Sequence, residues 1–480
     1  MSRTWDAVVV GSGPNGLAAA VVLAKAGHSV KVVEGQPTHG GGARTLELTL
    51  PGFRHDLCSA IHPMGAASPL FAELELHQHG LQFLHSPAPL AHPLVGEQAA
   101  VLERDVEATA ARLGVDEGAY LELMRPLVRD FEVIKALLMS PVTRPPVKAP
   151  LKAARFGLQA LRSAFWFAEE HFEGPMAKAL LAGCAAHSFS ALTTPLTNGI
   201  GLALLAAGHA VGWPLAKGGS QAIVDALVSV LRAHGGELEV NRPIARLEEL
   251  PPSKLVLFDT HAHVMERVCG EALPGWFRAA VRAFRRGPGV FKLDYALSGP
   301  VPWLAKECAR AATVHVGGTM QELANSEAAH AEGRVPERPY VLLAQQSLFD
   351  ETRAPEGRHT LWAYCHVPNG SEEDATPYIE AQLERFAPGF SQRVLARHAK
   401  GPAGFEATNA SYLGGDISGG AVEGLQLLFR PLPGPPYVTP NSRILLCSSS
   451  APPGPAVHGM CGYWAAQVAL ERLRTARSGL

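Results

Sequence analysis

The residues best placed to do chemistry lie near the start of the chain, in Gly11-Ser12-Gly13-Pro14-Asn15-Gly16. A short β-branched run, Asp6 to Val10, precedes them and reads as a buried strand. Behind them an Ala/Leu-rich helix is expected from Leu17 to Ala26, ended by Gly27, and a second strand, Ser29 to Val33, closes on Glu34. Gly11 permits a tight strand-to-helix turn, Gly13 lets the backbone approach a diphosphate, and Gly16 lets the helix pack closely on its sheet. The N-terminal turn of that helix, with Pro14 and Asn15, meets the phosphate charge. Glu34, followed by Gly35, stands roughly twenty residues after Gly13, where a carboxylate accepts hydrogen bonds from ribose hydroxyls. An acid at this position, instead of an arginine, argues against a ribose 2′-phosphate.

A second glycine-rich run follows at once: His39-Gly40-Gly41-Gly42-Ala43-Arg44-Thr45. Its glycines again allow close backbone approach, and Arg44 has a guanidinium to offer a diphosphate. A nicotinamide dehydrogenase needs no second clamp here, so the pair of runs points to FAD. The chain has one complete GxGxxG with its strand, helix and acid, which leaves NAD(P) as a second cofactor unsupported.

These runs resemble the FAD-dependent phytoene desaturase and amine oxidase superfamily, most closely its phytoene-dehydrogenase-like branch. Three further segments strengthen the resemblance. Trp213 to Ser220, opening a helix from Gln221 to His234, is similar to the second crossover of the family's FAD domain. The strand read at Leu238 to Ile244 matches the segment whose backbone, at Ile244, meets the adenine. Ile444 to Cys447, then Ser448 to Gly454 and His458 to Ala466, resemble the closing flavin motif. The resemblance implies that Gly454, His458, Gly459, Met460 and Gly462 border the flavin pyrimidine, where a helix dipole would stabilise charge at N1 and O2. There is one departure. Only Ala245 to Lys254 separates Ile244 from the next strand, Leu255 to Asp259, where the family commonly has a β-hairpin.

The implied architecture is α/β: a Rossmann-type, glutathione-reductase-like FAD-binding domain with a discontinuous α+β substrate domain. The first is assembled from residues 1–75, 205–260 and 425–480; the second from 80–204, mainly helical, and 261–424, a mixed sheet. Strand-like runs at Val290 to Leu297, Tyr340 to Gln345 and His359 to His366, with a helix from Pro377 to Phe386, give the sheet reading. A length of 480 residues is too great for one core and fits two domains.

Two histidines are the candidates for catalysis: His62, after His55-Asp56-Leu57-Cys58-Ser59-Ala60-Ile61, and His458 inside the closing motif. Either could move a proton while a flavin takes a hydride, or simply hydrogen-bond backbone beside the cofactor. No metal site is expected; His261 and His263 have no third ligand in view and read as structural. Lys292 and Asp294 alternate with apolar residues, so one strand face is polar, toward solvent or toward the substrate. Gly414-Gly415-Asp416 reads as a turn.

A formal charge of −2 gives no electrostatic footprint for nucleic acid. Seven cysteines without a CxxC pair suit free thiols, and no uncharged apolar stretch is long enough for a spanning helix, so the chain reads as cytoplasmic. From Val133 to Ala168 there is no acid; Lys135, Arg144, Lys148, Lys152, Arg155 and Arg162 alternate with Phe156, Leu158, Leu161, Phe165, Trp166 and Phe167. That pattern suits peripheral contact with a membrane, or a helix packed over the substrate domain. The expected function is FAD-dependent desaturation, saturation or isomerisation of an apolar, isoprenoid- or carotenoid-like molecule by hydride transfer to flavin N5. The alternatives are an amine oxidase, and a non-catalytic lipid- or protein-binding module on the same fold.

Overall fold

The computed structural model describes residues 3–478 except 144 and 146–148. Five short strands form a wholly parallel sheet in the order Ile444–Leu446, Ser253–Phe258, Trp5–Val10, Val30–Val33, Glu237–Glu239. Trp5–Val10 lies inside it, with Ala7 opposite Leu255 on one side and Val30 on the other. Its residues are nearly all buried, as expected of a strand covered on both faces. The helix Pro14–Lys25 covers one face, and two further helices, Gln221–Ala233 and Met460–Ser478, pack against it.

A seven-stranded mixed sheet forms the second unit, in the order Val394–Lys400, Gly289–Leu297, His359–Val367, Val341–Ala344, Ala311–Val316, Ala88–Pro93, Ala99–Leu102. All its pairs are antiparallel except Ala311–Val316 with Ala88–Pro93. Two of its strands therefore come from the block 80–204 that reads as mainly helical. Side chains alternate across this sheet. Phe291, Leu293, Leu361, Ala363 and Cys365 turn into a separate core with Phe386 and Phe390. Val290, Trp362, Tyr364, Leu342 and Ala344 turn the other way, into the large core shared with the nucleotide-binding unit. The helices Pro175–Ala185 and Thr197–Ala210 belong to that shared core.

Some boundaries differ from the sequence reading. The strand expected to run to Ile244 stops at Glu239, and Pro243, with no amide to donate, cannot extend the ladder. A single 3₁₀ turn, Leu247–Glu249, spans the short connection that follows. The C-terminal helix runs from Met460 to Ser478, with neither Gly nor Pro after Gly462 to stop it along that length. The basic, aromatic stretch is three helices, Phe131–Leu138, Pro150–Ala160 and Ala164–His171. Arg144 and Lys148 of that stretch lie outside the described residues. All seven cysteines are buried and unpaired. Among the described residues no helix is long and apolar enough to cross a membrane.

Candidate functional site: a glycine cradle beneath a polar sheet

The glycine loop leaves the strand at its carboxyl end, where an open parallel sheet places ligands. Gly11 has φ +98°, open to glycine alone at little cost, and Gly13 caps the helix that Pro14 begins. No glycine of the run has space for a side chain: a Cβ on Gly16 would sit 2.4 Å from the Gly11 carbonyl oxygen. Glu34 is buried at the tip of the second strand; its Oε2 accepts from the Ser12 amide (2.9 Å) and hydroxyl (2.6 Å), and its Oε1 from the Gln36 amide (2.9 Å). Gly35 packs on Pro243, next to the half-buried Ile244.

The second glycine run lies against the first. The Gly40 amide donates to Ser12 O (3.1 Å), and a Cβ on Gly41 would be 3.0 Å from the Gly13 Cα. Ala43 is fully buried, and a Cβ on Gly42 would meet the Tyr412 hydroxyl. Arg44 is buried, and its guanidinium donates to the carbonyls of Gly41 (2.9 Å) and Thr408 (2.7 Å), so it braces the loop. Thr45 accepts from the Gln221 amide (3.1 Å) and donates to Asp56 (2.8 Å). Asp56 is a hub that the sequence did not reveal. Its fully buried carboxylate also takes the Ser220 amide (2.8 Å), the Arg353 guanidinium (2.7 Å) and the Gln346 amide group (3.3 Å), tying the segments at Thr45 and Ser220 to the second unit.

The closing motif wraps the same edge. A Cβ on Gly462 would lie 1.8 Å from the Asn15 carbonyl oxygen, so the C-terminal helix touches the first helix backbone to backbone. Gly459, at φ +72°, fits against Ala18 and Phe71, and Gly454, at φ +110°, faces the buried Arg430. Nδ1 of His458 accepts from the amide of Met460 (3.0 Å), and its carbonyl accepts from Ser68 (2.8 Å). Nε2 of His62 hydrogen-bonds Ser220 (2.8 Å). Burial holds both rings neutral, down to about 4. The two histidines stand on adjoining segments, since a Cβ on Gly65 would be 2.9 Å from Val457 O. Each has one ring nitrogen engaged within the protein.

Above this edge the seven-stranded sheet presents a buried polar and aromatic face. Lys292 and Asp294 form an ion pair there, with His55 and His398 each 3.7 Å from the Asp294 carboxylate. Burial and the nearby Lys292 bring Lys400 down to about 8. Farther along, Glu327 Oε2 hydrogen-bonds Nδ1 of His366 (2.7 Å) and Nε2 of His330 (3.2 Å), and His187 meets His315 (3.1 Å). Glu327, His330 and His366 are the group among the described residues whose ligand atoms, within 4.8 Å of one another, approach metal-binding geometry. Both imidazoles hydrogen-bond Oε2, while Glu327 Oε1 and Nε2 of His366 are buried without a hydrogen-bond partner. The Glu-x-x-His spacing on the helix Met320–Ala331 was its sequence signal, with His366 supplied from another strand. His261 and His263 stack on each other with centroids 4.9 Å apart, Nδ1 of His261 accepting the His263 amide.

The comparisons agree with this geometry. Residues 9–74 match the model of an NAD(P)-binding Rossmann-like domain. The chain is 27% identical to pyridine nucleotide-disulfide oxidoreductase domain-containing protein 2 of Rattus norvegicus, over 98% of this chain and 94% of that one. An oxidoreductase structure from Methanosarcina mazei superposes with a TM-score of 0.66 at 16% identity, covering 97% of this chain and 99% of that one. Cyclohexylamine oxidase from Brevibacterium oxydans gives 0.59 at 14%, covering 98% and 100%. The fold is thus that of a Rossmann-like dinucleotide-binding domain joined to a separate mixed α/β domain. The glycine cradle and buried Glu34 fit a flavin-type dinucleotide.

Proposed function

We propose that the chain is an FAD-dependent oxidoreductase whose substrate lies between the glycine cradle and the seven-stranded sheet. The observation that supports this most is the buried face of that sheet, which sets Lys292, Asp294, Trp362, Tyr364 and His366 toward the core shared with the nucleotide-binding unit. Bound FAD would supply the hydride-accepting ring at flavin N5. Gly11, Gly13, Gly16 and the amides opening the first helix would hold its diphosphate, and Glu34 its ribose, exchanging the Ser12 contact for ribose hydroxyls. Gly454, Gly459 and Met460 would border the ring. The substrate we expect is apolar and isoprenoid-like over most of its length, desaturated, saturated or isomerised at one bond. Leu342, Ala344 and Phe189 suit its body, and the Lys292–Asp294 pair suits one hydrogen-bonding end.

Amine oxidation is the second reading, favoured by the buried carboxylates of Asp294 and Glu327, which could receive an ammonium group. The aromatic geometry favours it less. Trp362 and Tyr364 meet edge to face (4.9 Å), as do Tyr412 with Phe405 and Tyr463 with Trp464, so none of these three pairs is a parallel sandwich. The flavin-loaded protein, mixed anaerobically with isoprenoid alcohols and with primary amines, separates the two. Bleaching of the flavin by the isoprenoids, with slow reoxidation in air, is expected. Bleaching by amines alone, with peroxide release on aeration, would replace the first reading by the second. A protein that stays colourless in excess FAD would be a binding module on this fold.

The helices Pro150–Ala160 and Ala164–His171 support a membrane-surface proposal as well. Leu151, Leu158, Leu161 and Trp166 are 86, 71, 56 and 61% exposed among the basic Lys152, Arg155 and Arg162. Such a face suits an anionic bilayer, from which a lipid-soluble substrate would be drawn. The protein is expected to float with vesicles containing phosphatidylglycerol, and the L151S/L158S/W166S variant to stay behind. Recovery of the unaltered protein at the bottom of the gradient would refute membrane contact.

A further inference from the structure

The first fingerprint glycine loop is approached from below by a residue that no sequence spacing connects to it. Asp259 follows the strand Ser253–Phe258, its amide donating to Val10 O (2.8 Å). Its Oδ2 accepts from the Gly16 amide at 2.8 Å. A Cβ on Gly13 would lie 2.6 Å from that same oxygen, one on Gly16 2.8 Å from it, and one on Gly11 2.6 Å from the Asp259 carbonyl oxygen. In this chain the three glycines make room for Asp259 as well as for a ligand. The Gly16 amide is one of the N–H groups at the helix start that attract phosphate charge.

We infer that Asp259 belongs to the dinucleotide site, and that its carboxyl carries a proton whenever the FAD diphosphate is bound. The inference rests on the FAD reading above. An ionised Asp259 would set a further negative charge against the diphosphate and compete for the helix N-terminus. A protonated one still accepts from Gly16 and gains an O–H to donate to the ligand. The surroundings offer no compensating cation: among the described residues Asp259 has no ion pair. Glu34, at the tip of the neighbouring strand, accepts from Ser12 and brings no cation. Arg44 is committed to two carbonyls, and His261, held neutral by burial, turns toward Asp416. Tyr412, Cys447 and Cys461 complete the surroundings, all pushed upward by burial and therefore uncharged. Enclosure raises the Asp259 carboxyl to about 7, with the Glu34 carboxylate adding and the Gly16 and Gly13 amides opposing.

The consequence is binding linked to proton uptake. The full-length chain stripped of flavin, titrated with FAD between about pH 6 and 9 by flavin fluorescence, should show Kd rising by up to about tenfold per pH unit above 7. Asp259→Asn, which keeps shape and hydrogen bonding without the charge, should be flat within about threefold. Calorimetry of the unaltered protein at about pH 8, in buffers of different ionisation enthalpy, should show uptake of about one proton per FAD. A slope unchanged in Asp259→Asn, or no proton uptake, would overturn the inference; the calorimetry does so even where the variant fails to fold. Failure to bind FAD at any pH would instead refute the FAD reading on which it rests.

Discussion

Replacing Asp56 by alanine is expected to cost about 3–5 kcal/mol of stability, because it leaves the Arg353 guanidinium buried without its counter-charge. Arg353 is fully buried, and its remaining side-chain hydrogen bond runs from Nε to Arg54 O (3.1 Å). The same change strips an acceptor from each of Thr45, Ser220 and Gln346, which meet at Asp56 from separate parts of the chain. Chemical denaturation of the flavin-loaded protein measures the loss. In Asp56→Ala/Arg353→Leu the stranded charge is gone, so part of the stability should return. A double variant as unstable as the sum of the two single ones would show that the pair matters only through separate contacts.

The same hub sets an acid limit. Arg353 and the Ser220 and Thr45 donors outweigh burial and lower the Asp56 carboxyl, so its contribution is present above the unfolded value near 4 and is lost as pH falls below it. Burial brings His55, His62, His92 and His458 down to about 4, below their unfolded value near 6.5. The unfolded chain therefore binds more protons in that window, and stability declines as pH drops from about 6.5 toward 4. A thermal midpoint that stayed level across this range would contradict the neutral burial of these rings.

Gly462→Ala is expected to do the greatest damage to cofactor retention. The added carbon would sit 1.8 Å from the Asn15 oxygen, 2.7 Å from its carbonyl carbon and 2.9 Å from the Ala19 nitrogen. All three are backbone atoms of the helix that follows the glycine loop, so no rotamer change relieves the clash. Parting the two helices should cost about 1–3 kcal/mol or more and displace the first turn at Pro14 and Asn15. Flavin content after purification should fall severalfold. Gly157, in the helix Pro150–Ala160 with open space around it, is the control; alanine there should be neutral or stabilise by up to about 1 kcal/mol. Wild-type flavin content in Gly462→Ala would refute the close-packed helix pair as the support of the loop.

The nucleotide-binding unit was legible because its signals are local. Gly11, Gly13, Gly16 and Glu34 fall within one strand–helix–strand unit, where spacing and periodicity carry the geometry. What sits on that loop was not legible: Asp259 reaches it from 243 residues away, and Arg353 reaches Asp56 from 297. Long-range pairs of this kind leave no periodic trace in one sequence. Lys292 and Asp294 announced a polar strand face by alternation, but only the fold showed that face to be buried, with His55 from the strand Arg54–Asp56 lying 3.7 Å from Asp294. The basic stretch after Val133 read as one amphipathic pattern, yet the chain breaks it into separate helices, one begun by Pro150 and the next capped by Ser163.

The proposed FAD site runs from the Gly11-to-Glu34 cradle to the Gly454-to-Gly462 closure. The most direct test is to purify the full-length protein, release any flavin by denaturation and quantify it against protein. About one equivalent of FAD, lost in Gly462→Ala and kept in Gly157→Ala, is the expected result. A colourless protein that takes up no added FAD at any pH would contradict it.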